Sequence, residues 1–134
     1  MASRRTEPTW LTRIVVDAIH IDQIREHGGA TGLRDENGLE SALTRPRHKW
    51  LYEHGTDLAD LAAAYGFGLA RNHPYVDGNK RVALVAMLTF LAVNGRAFDA
   101  TDDDVLTTVL ALAAGRLTES ALADWLRSRS VPLG

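Results

Sequence analysis

Nine consecutive residues, His73-Pro74-Tyr75-Val76-Asp77-Gly78-Asn79-Lys80-Arg81, gather most of the side chains in this chain that could do chemistry. His73 is a candidate general base, because an imidazole takes and returns a proton near neutral pH. Pro74 biases His73 away from helical backbone, so its ring is expected at a helix end. Asp77 can ligate Mg²⁺, which takes one or two protein carboxylates and completes its shell with phosphate oxygens. Asp-Gly is equally a common turn pair. Gly78 lets a ligand approach the backbone closely, and Asn79 can either cap a helix or orient a phosphate. Lys80 and Arg81 open an apolar run, Val82 to Val93, that stops at Asn94-Gly95. Cations oppose the helix dipole at an N-terminus. An anion held on the free N–H groups would neutralise them. The cluster reads as a phosphate site with a base and a metal ligand beside it, suited to moving part of a nucleotide onto a hydroxyl. Neither a G-x-x-x-x-G-K-[ST] loop nor the protein-kinase signature set is present.

The elements that must position this cluster are read from periodicity and punctuation. Residues 1–12 are expected to be a flexible tail and residues 13–134 one domain. Arg13 to Val16 reads as a short extended piece. Asp17 reads as the cap of a helix to His27 that Gly28-Gly29 stops. A tight loop through Gly32 follows, then a short helix from Leu39 to Thr44 that Pro46 ends. Arg45 to Gly55, with Trp50 and Tyr52 alternating around Leu51, reads as a short extended flap. Thr56 or Asp57 caps a helix from Leu58 to about Arg71, whose many small residues place it centrally. The cluster helix spans about Asn79 to Asn94. Thr101 caps a helix that begins Asp102-Asp103-Asp104 and ends at Gly115; three acids there complement the dipole. Thr118 caps the last helix, with Leu122, Trp125 and Leu126 as a core stripe. The expectation is an all-α, compact, single-domain bundle of about six helices with a short flap. His20, His27, His48 and His54 read as surface or capping residues.

Composition narrows the function classes. The chain has 134 residues, enough for one core, and 46% hydrophobic with 24% charged residues is ordinary for a globular domain. A net charge of -2 gives no electrostatic case for a nucleic-acid partner. The absence of cysteine excludes disulfides, thiolate catalysis and cysteine zinc sites. Residues 1–9 lack the apolar stretch of a signal peptide, and no apolar run is long enough to span a bilayer. A cytoplasmic protein is expected. Lysine occurs only at positions 49 and 80, which makes a lysine inside the cluster informative.

The run His73 to Arg81 resembles the signature of the Fic/Doc family, H-x-F-x-[DE]-[AG]-N-[GK]-R, with Tyr75 in place of Phe. His27-Gly28-Gly29, Gly32-Leu33-Arg34-Asp35 and Gly38-Leu39-Glu40-Ser41-Ala42 are similar to the N-terminal half of death-on-curing (Doc) toxins, and Asn94-Gly95 matches after the motif helix. The likeness covers roughly residues 14 to 129. It implies a bacterial toxin of a toxin–antitoxin system, with ATP as co-substrate and Mg²⁺ as cofactor. His73 would deprotonate a target hydroxyl and Asp77 would hold the metal. Gly78, Asn79, Lys80 and Arg81 would cradle the phosphates, while Tyr75 points into the core and fixes the loop. The Arg45 to Gly55 flap would hold the target chain by strand addition.

Adenylylating members carry G-N-G-R and a second arginine; here Lys80 takes the glycine slot and Leu84 the arginine slot. Doc-like toxins carry the lysine, which implies transfer of the terminal phosphate to a translation factor such as elongation factor Tu and arrest of translation. Pro74 and Gly78 also suit adenylylating members, so AMP transfer is the alternative, and an inactive binding module is a further one. An inhibitory [ST]-x-x-x-E-[GN] helix has its nearest match at Ser3 to Glu7, spoiled by Pro8. The resemblance therefore implies restraint by an antitoxin whose disordered segment folds on binding. Trp50 or Trp125 are candidate walls of its groove. Neither a nucleic acid nor a membrane is an expected partner.

Overall fold

The computed structural model describes residues 6–133. Six helices form one bundle: α1 (Arg13–His27), α2 (Glu36–Tyr52), α3 (Leu58–Asn72), α4 (Asn79–Val93), α5 (Asp102–Ala113) and α6 (Glu119–Arg129). Two three-residue strands, β1 (Arg96–Phe98) and β2 (Ser130–Pro132), pair antiparallel with Ala97 opposite Val131. The all-α expectation holds, and no helix among the described residues is long and apolar enough to cross a membrane.

α3 is the centre, packed against α2, α4 and α6. Its small residues allow that. A Cβ on Gly68 would lie 3.1 Å from the Cα of Ala42 on α2, and one on Gly66 would overlap Met87 on α4. Asp57 caps α3 in a reciprocal box with Asp60, as its position before the apolar run suggested. Arg127 of α6 reaches both acids, at 2.7 Å to Asp57 and 2.9 Å to Asp60, fastening the last helix to the head of the central one. α6 buries Leu122, Ala123 and Leu126, and Trp125 meets Phe98 edge-on at 5.0 Å.

Several expectations are corrected. Arg13 to Val16 is helical, not extended. Thr12 caps α1 by accepting from the Val15 N–H, and Asp17 lies inside the helix, where it accepts from the Tyr75 hydroxyl. Leu39 to Thr44 is not a separate helix, and Arg45 to Gly55 is not a flap: α2 runs unbroken to Tyr52 with Pro46 inside it. An internal proline costs a helix roughly 3 kcal/mol. Here Leu39, Ala42, Leu43 and Pro46 share one buried face, with the ring of Pro46 fully enclosed. Burying a side chain of that size returns about 1.5–3 kcal/mol, and α2 carries several. Residues 9–12, assigned to the tail, lie on the core: Leu11 is buried, Thr9 exchanges backbone hydrogen bonds with the Asn94 amide, and Trp10 stacks on Phe90. Residues 1–5 of that tail, including Ser3 of the inhibitory-motif match, lie outside the described residues.

Candidate functional site

His73, Val76, Asp77, Gly78, Asn79, Lys80 and Arg81 line one cleft of about 480 Å³ at the head of α4. A larger groove of about 600 Å³ lies between α2 and α6, but its charges are already paired: Glu119 bridges Arg45 and Lys49.

His73 is the C-cap of α3 in left-handed backbone, φ 45° and ψ 55°, the one non-glycine residue with positive φ among those described. Pro74 forbids helical continuation, and Arg34 holds the result. Its Nε and Nη2 donate to the His73 carbonyl at 3.0 and 2.5 Å, and Nη2 also reaches the Asn72 carbonyl at 3.3 Å. A cation there complements the negative end of α3. The imidazole is exposed and makes no hydrogen bond among the described residues, leaving it available to a substrate proton.

The other wall is the head of α4. Side chains of Thr12, Asp35, Asp57, Thr101 and Thr118 cap the other five helices, whereas Gly78 leaves α4 with no side-chain cap and no acid in its first turn. Lys80 is exposed and in no ion pair among the described residues; Arg81 donates from Nη2 to the Gly28 carbonyl at 3.2 Å. Two cations and an uncapped helix end thus face the same space as His73. That combination favours a phosphate group.

The Asp77 carboxylate is exposed and lightly held, accepting from the Ala30 and Gly78 N–H groups at 3.2 Å each. Among the described residues no cluster of three or more acidic or imidazole groups could cage a metal. One accessible carboxylate fits Mg²⁺, which is commonly shared between a protein acid and substrate phosphates, and does not fit a resident structural ion.

Tyr75 points inward, as the resemblance implied: it is 3% exposed and its hydroxyl donates to Asp17 at 2.6 Å. Burial and the Asp17 carboxylate both push its phenol well above the usual range. Asn79 faces the same loop. Its amide accepts from the Tyr75 N–H at 3.0 Å and donates to the Tyr75 carbonyl at 2.9 Å, so its first task is to shape the loop.

Sequence reasoning missed two residues. His20, taken for a surface or capping residue, is 3% exposed, stacks on Tyr75 at 3.9 Å and lies 2.9 Å from the Asp77 carbonyl. The signal was available: His20 sits midway between Val16 and Ile24, all at i,i+4 spacing on the buried face of α1. Arg34 was named only within the Gly32-Leu33-Arg34-Asp35 likeness, with no role in the site, and it lies in the loop between α1 and α2. That loop carries the extended backbone that α2 lacks. Leu33 bridges Tyr75 antiparallel, with Arg34 N–H to Pro74 C=O at 2.7 Å and Val76 N–H to Gly32 C=O at 3.0 Å. Trp50 and Trp125, the candidate groove walls, are partly buried against the core.

Residues 10–91 match the Fic/DOC family. Over 111 residues the chain is 37% identical to "Protein kinase doc" of Escherichia phage P1, covering 82% of this chain and 86% of that protein. Over 72 residues it is 46% identical to "Toxin Doc" of Mycolicibacterium smegmatis, covering 51% of this chain and 53% of that one.

Proposed function

The chain belongs to the Fic/DOC family, and from that premise we propose a Doc-like toxin that moves the terminal phosphate of ATP to a hydroxyl of a translation factor similar to elongation factor Tu. One observation carries the reading: His73, Asp77 and Lys80, which is in no ion pair among the described residues, share a cleft with the head of α4, the one described helix that no side chain caps. A lysine at the second residue of α4 puts a mobile cation where a phosphate would rest. Leu84, in the slot of the second arginine, packs against the core and offers no charge. Both features favour phosphoryl over adenylyl transfer.

In this reading His73 takes the proton of the attacking Ser, Thr or Tyr hydroxyl. The hydroxyl oxygen bonds to the γ-phosphorus as its bond to the β–γ bridging oxygen breaks, and ADP leaves. Lys80, Arg81 and the first N–H groups of α4 hold the phosphate oxygens throughout. Mg²⁺ at Asp77 would supply charge neutralisation on the nucleotide phosphates. Leu33 has its own N–H and C=O turned away from Tyr75, leaving an edge beside the cleft on which a target chain can add as a strand. This edge replaces the α2 segment in that role. Restraint by an antitoxin with a segment that folds on binding completes the proposal, as the name "Toxin Doc" of one relative supports.

The test is a lysate incubated with the purified chain, Mg²⁺ and ATP labelled at the α or the γ phosphate. A protein band labelled from γ alone and absent with His73→Ala is expected. A band labelled from α would make the chain an adenylyltransferase. No band with either label, together with growth arrest that survives His73→Ala, would leave a binding module.

A further inference from the structure

The motif explains why Asp77 is present but not what holds its peptide in place. Glycine at position 78 leaves the Asp77–Gly78 peptide little steric resistance of its own to turning over. Such a flip rotates ψ of Asp77 and φ of Gly78 by about half a turn each, and glycine accepts φ of either sign at little cost. Gly78 sits at φ 80° and ψ 12°. Which way this peptide faces matters, because in a trans peptide C=O and N–H point in opposite directions. With the carbonyl inward, the Gly78 N–H faces the cleft and lies 3.2 Å from its one described partner, the exposed Asp77 carboxylate. Turned over, the peptide would present a carbonyl oxygen to a bound phosphate, and the two would repel.

The carbonyl is held from α1. Asp77 O lies 2.9 Å from Nε2 of His20, a partner 57 residues away in the chain. A carbonyl can only accept, so Nε2 carries the proton. The ring has little freedom to leave. It lies face to face with Tyr75, 3.9 Å between centroids and 7° between planes. Tyr75 is tethered through its hydroxyl to Asp17, which Arg13 engages at 2.9 Å. Asp17 and His20 are three residues apart on one face of α1, so one helix grips both the ring of Tyr75 and the carbonyl of Asp77.

We propose that His20 is a positioning residue for phosphate binding: its Nε2–H locks the Asp77–Gly78 peptide with the carbonyl inward, aiming the Gly78 N–H and the Asp77 carboxylate at the nucleotide. The inference rests on the phosphate reading of the cleft and deepens it. A filler role would require only the ring. A positioning role requires the donor.

Two substitutions separate these. His20→Phe keeps a ring to stack on Tyr75 and deletes the donor. His20→Gln gives up the ring and keeps an amide N–H at about the reach of Nε2. Binding of an imido analogue of ATP with Mg²⁺, followed by calorimetry on variants shown to be folded by circular dichroism, is expected to weaken about tenfold in His20→Phe and to stay within about threefold in His20→Gln, the size of effect one hydrogen bond produces. The reverse order, or wild-type affinity in His20→Phe, overturns the proposal.

A second readout needs no nucleotide. The distance from the Asp77 Hα to the Gly78 N–H, read as a nuclear Overhauser effect, reports ψ of Asp77 and so which way that peptide faces. It is expected to change in His20→Phe while the corresponding effects within α3 and α4 do not; an unchanged value overturns the proposal. Failure of the wild-type chain to bind nucleotide would remove the phosphate reading and leave this second result to decide the role of His20. Should His20→Phe not fold, long-range ¹H–¹⁵N correlations in the wild-type ring decide: a proton on Nε2 is expected, and a proton on Nδ1 alone excludes the hydrogen bond.

Discussion

Replacing His73 by glycine should abolish transfer and yet leave the fold more stable than replacing it by alanine. The reason is local. His73 is held at φ 45° and ψ 55° by Pro74 on one side and by the Arg34 guanidinium on its carbonyl. A residue with a Cβ in left-handed backbone costs about 1–2 kcal/mol. Glycine avoids that cost but gains about 0.5–1 kcal/mol of freedom in the unfolded chain. The exposed imidazole makes no hydrogen bond among the described residues, so its removal itself changes stability little. The difference leaves His73→Gly about 1 kcal/mol above His73→Ala. For a domain of this size that is a gap of about 3–5 °C in melting temperature. Urea denaturation followed by circular dichroism, beside the γ-label assay, measures both quantities. Equal stability of the two variants, or a less stable glycine variant, would refute the idea that the base stands on strained backbone. A confirmed gap would mean that the site keeps its base in place at the expense of stability, a common trade in functional sites.

Two further perturbations address the scaffold. Gly68→Ala places a Cβ 3.1 Å from the Cα of Ala42, a backbone atom that cannot swing aside. A loss of about 1–3 kcal/mol in urea is expected; because alanine favours helix by about 1 kcal/mol over glycine, a variant as stable as wild type would show that α2 moves away from α3 at little cost. At the other end of α3, burial pushes the Asp57 carboxyl up, but Arg127 and the bonds from Asp60 outweigh it and hold it at about 2. A carboxyl depressed in the folded state stabilises above its unfolded pKa of about 3.9, and that contribution is lost as pH falls from about 4 toward 2. Since nearly half of each side chain is exposed, screening reduces the effect to about 1 kcal/mol or less. Arg127→Ala should narrow the drop in urea midpoint between pH 5 and pH 2.5; an identical drop would deny the pair a role.

The helices were legible where a cap and an apolar period agreed. Asp57, Thr101 and Thr118 each accept from the backbone N–H three residues on, and the helices begin where those residues predict. α2 was misjudged because two local rules, a proline that stops helices and an aromatic alternation that suggests strand, outvoted the i,i+3,i+4,i+7 face of Leu39, Ala42, Leu43 and Pro46. That face wins in the folded chain because α3 covers it, and no local rule weighs a partner helix.

The site divides along the same line. Its chemical inventory was determined by the sequence alone: the candidate base, the candidate metal ligand and the cations are contiguous, and Pro74 and Gly78 dictate backbone on the scale of one turn. What holds that inventory was decided by tertiary structure. The His20 ring reaches Asp77 across 57 residues and the Arg34 guanidinium reaches His73 across 39. Periodicity could place His20 on a buried face, but it carries no information about which carbonyl lies opposite. That depends on how α1 and the Gly28–Asp35 loop close over the loop before α4. Steric and hydrogen-bonding preferences act over a few residues and can be read in order along the chain; the partner of a buried donor is set only when distant segments compete for the same space.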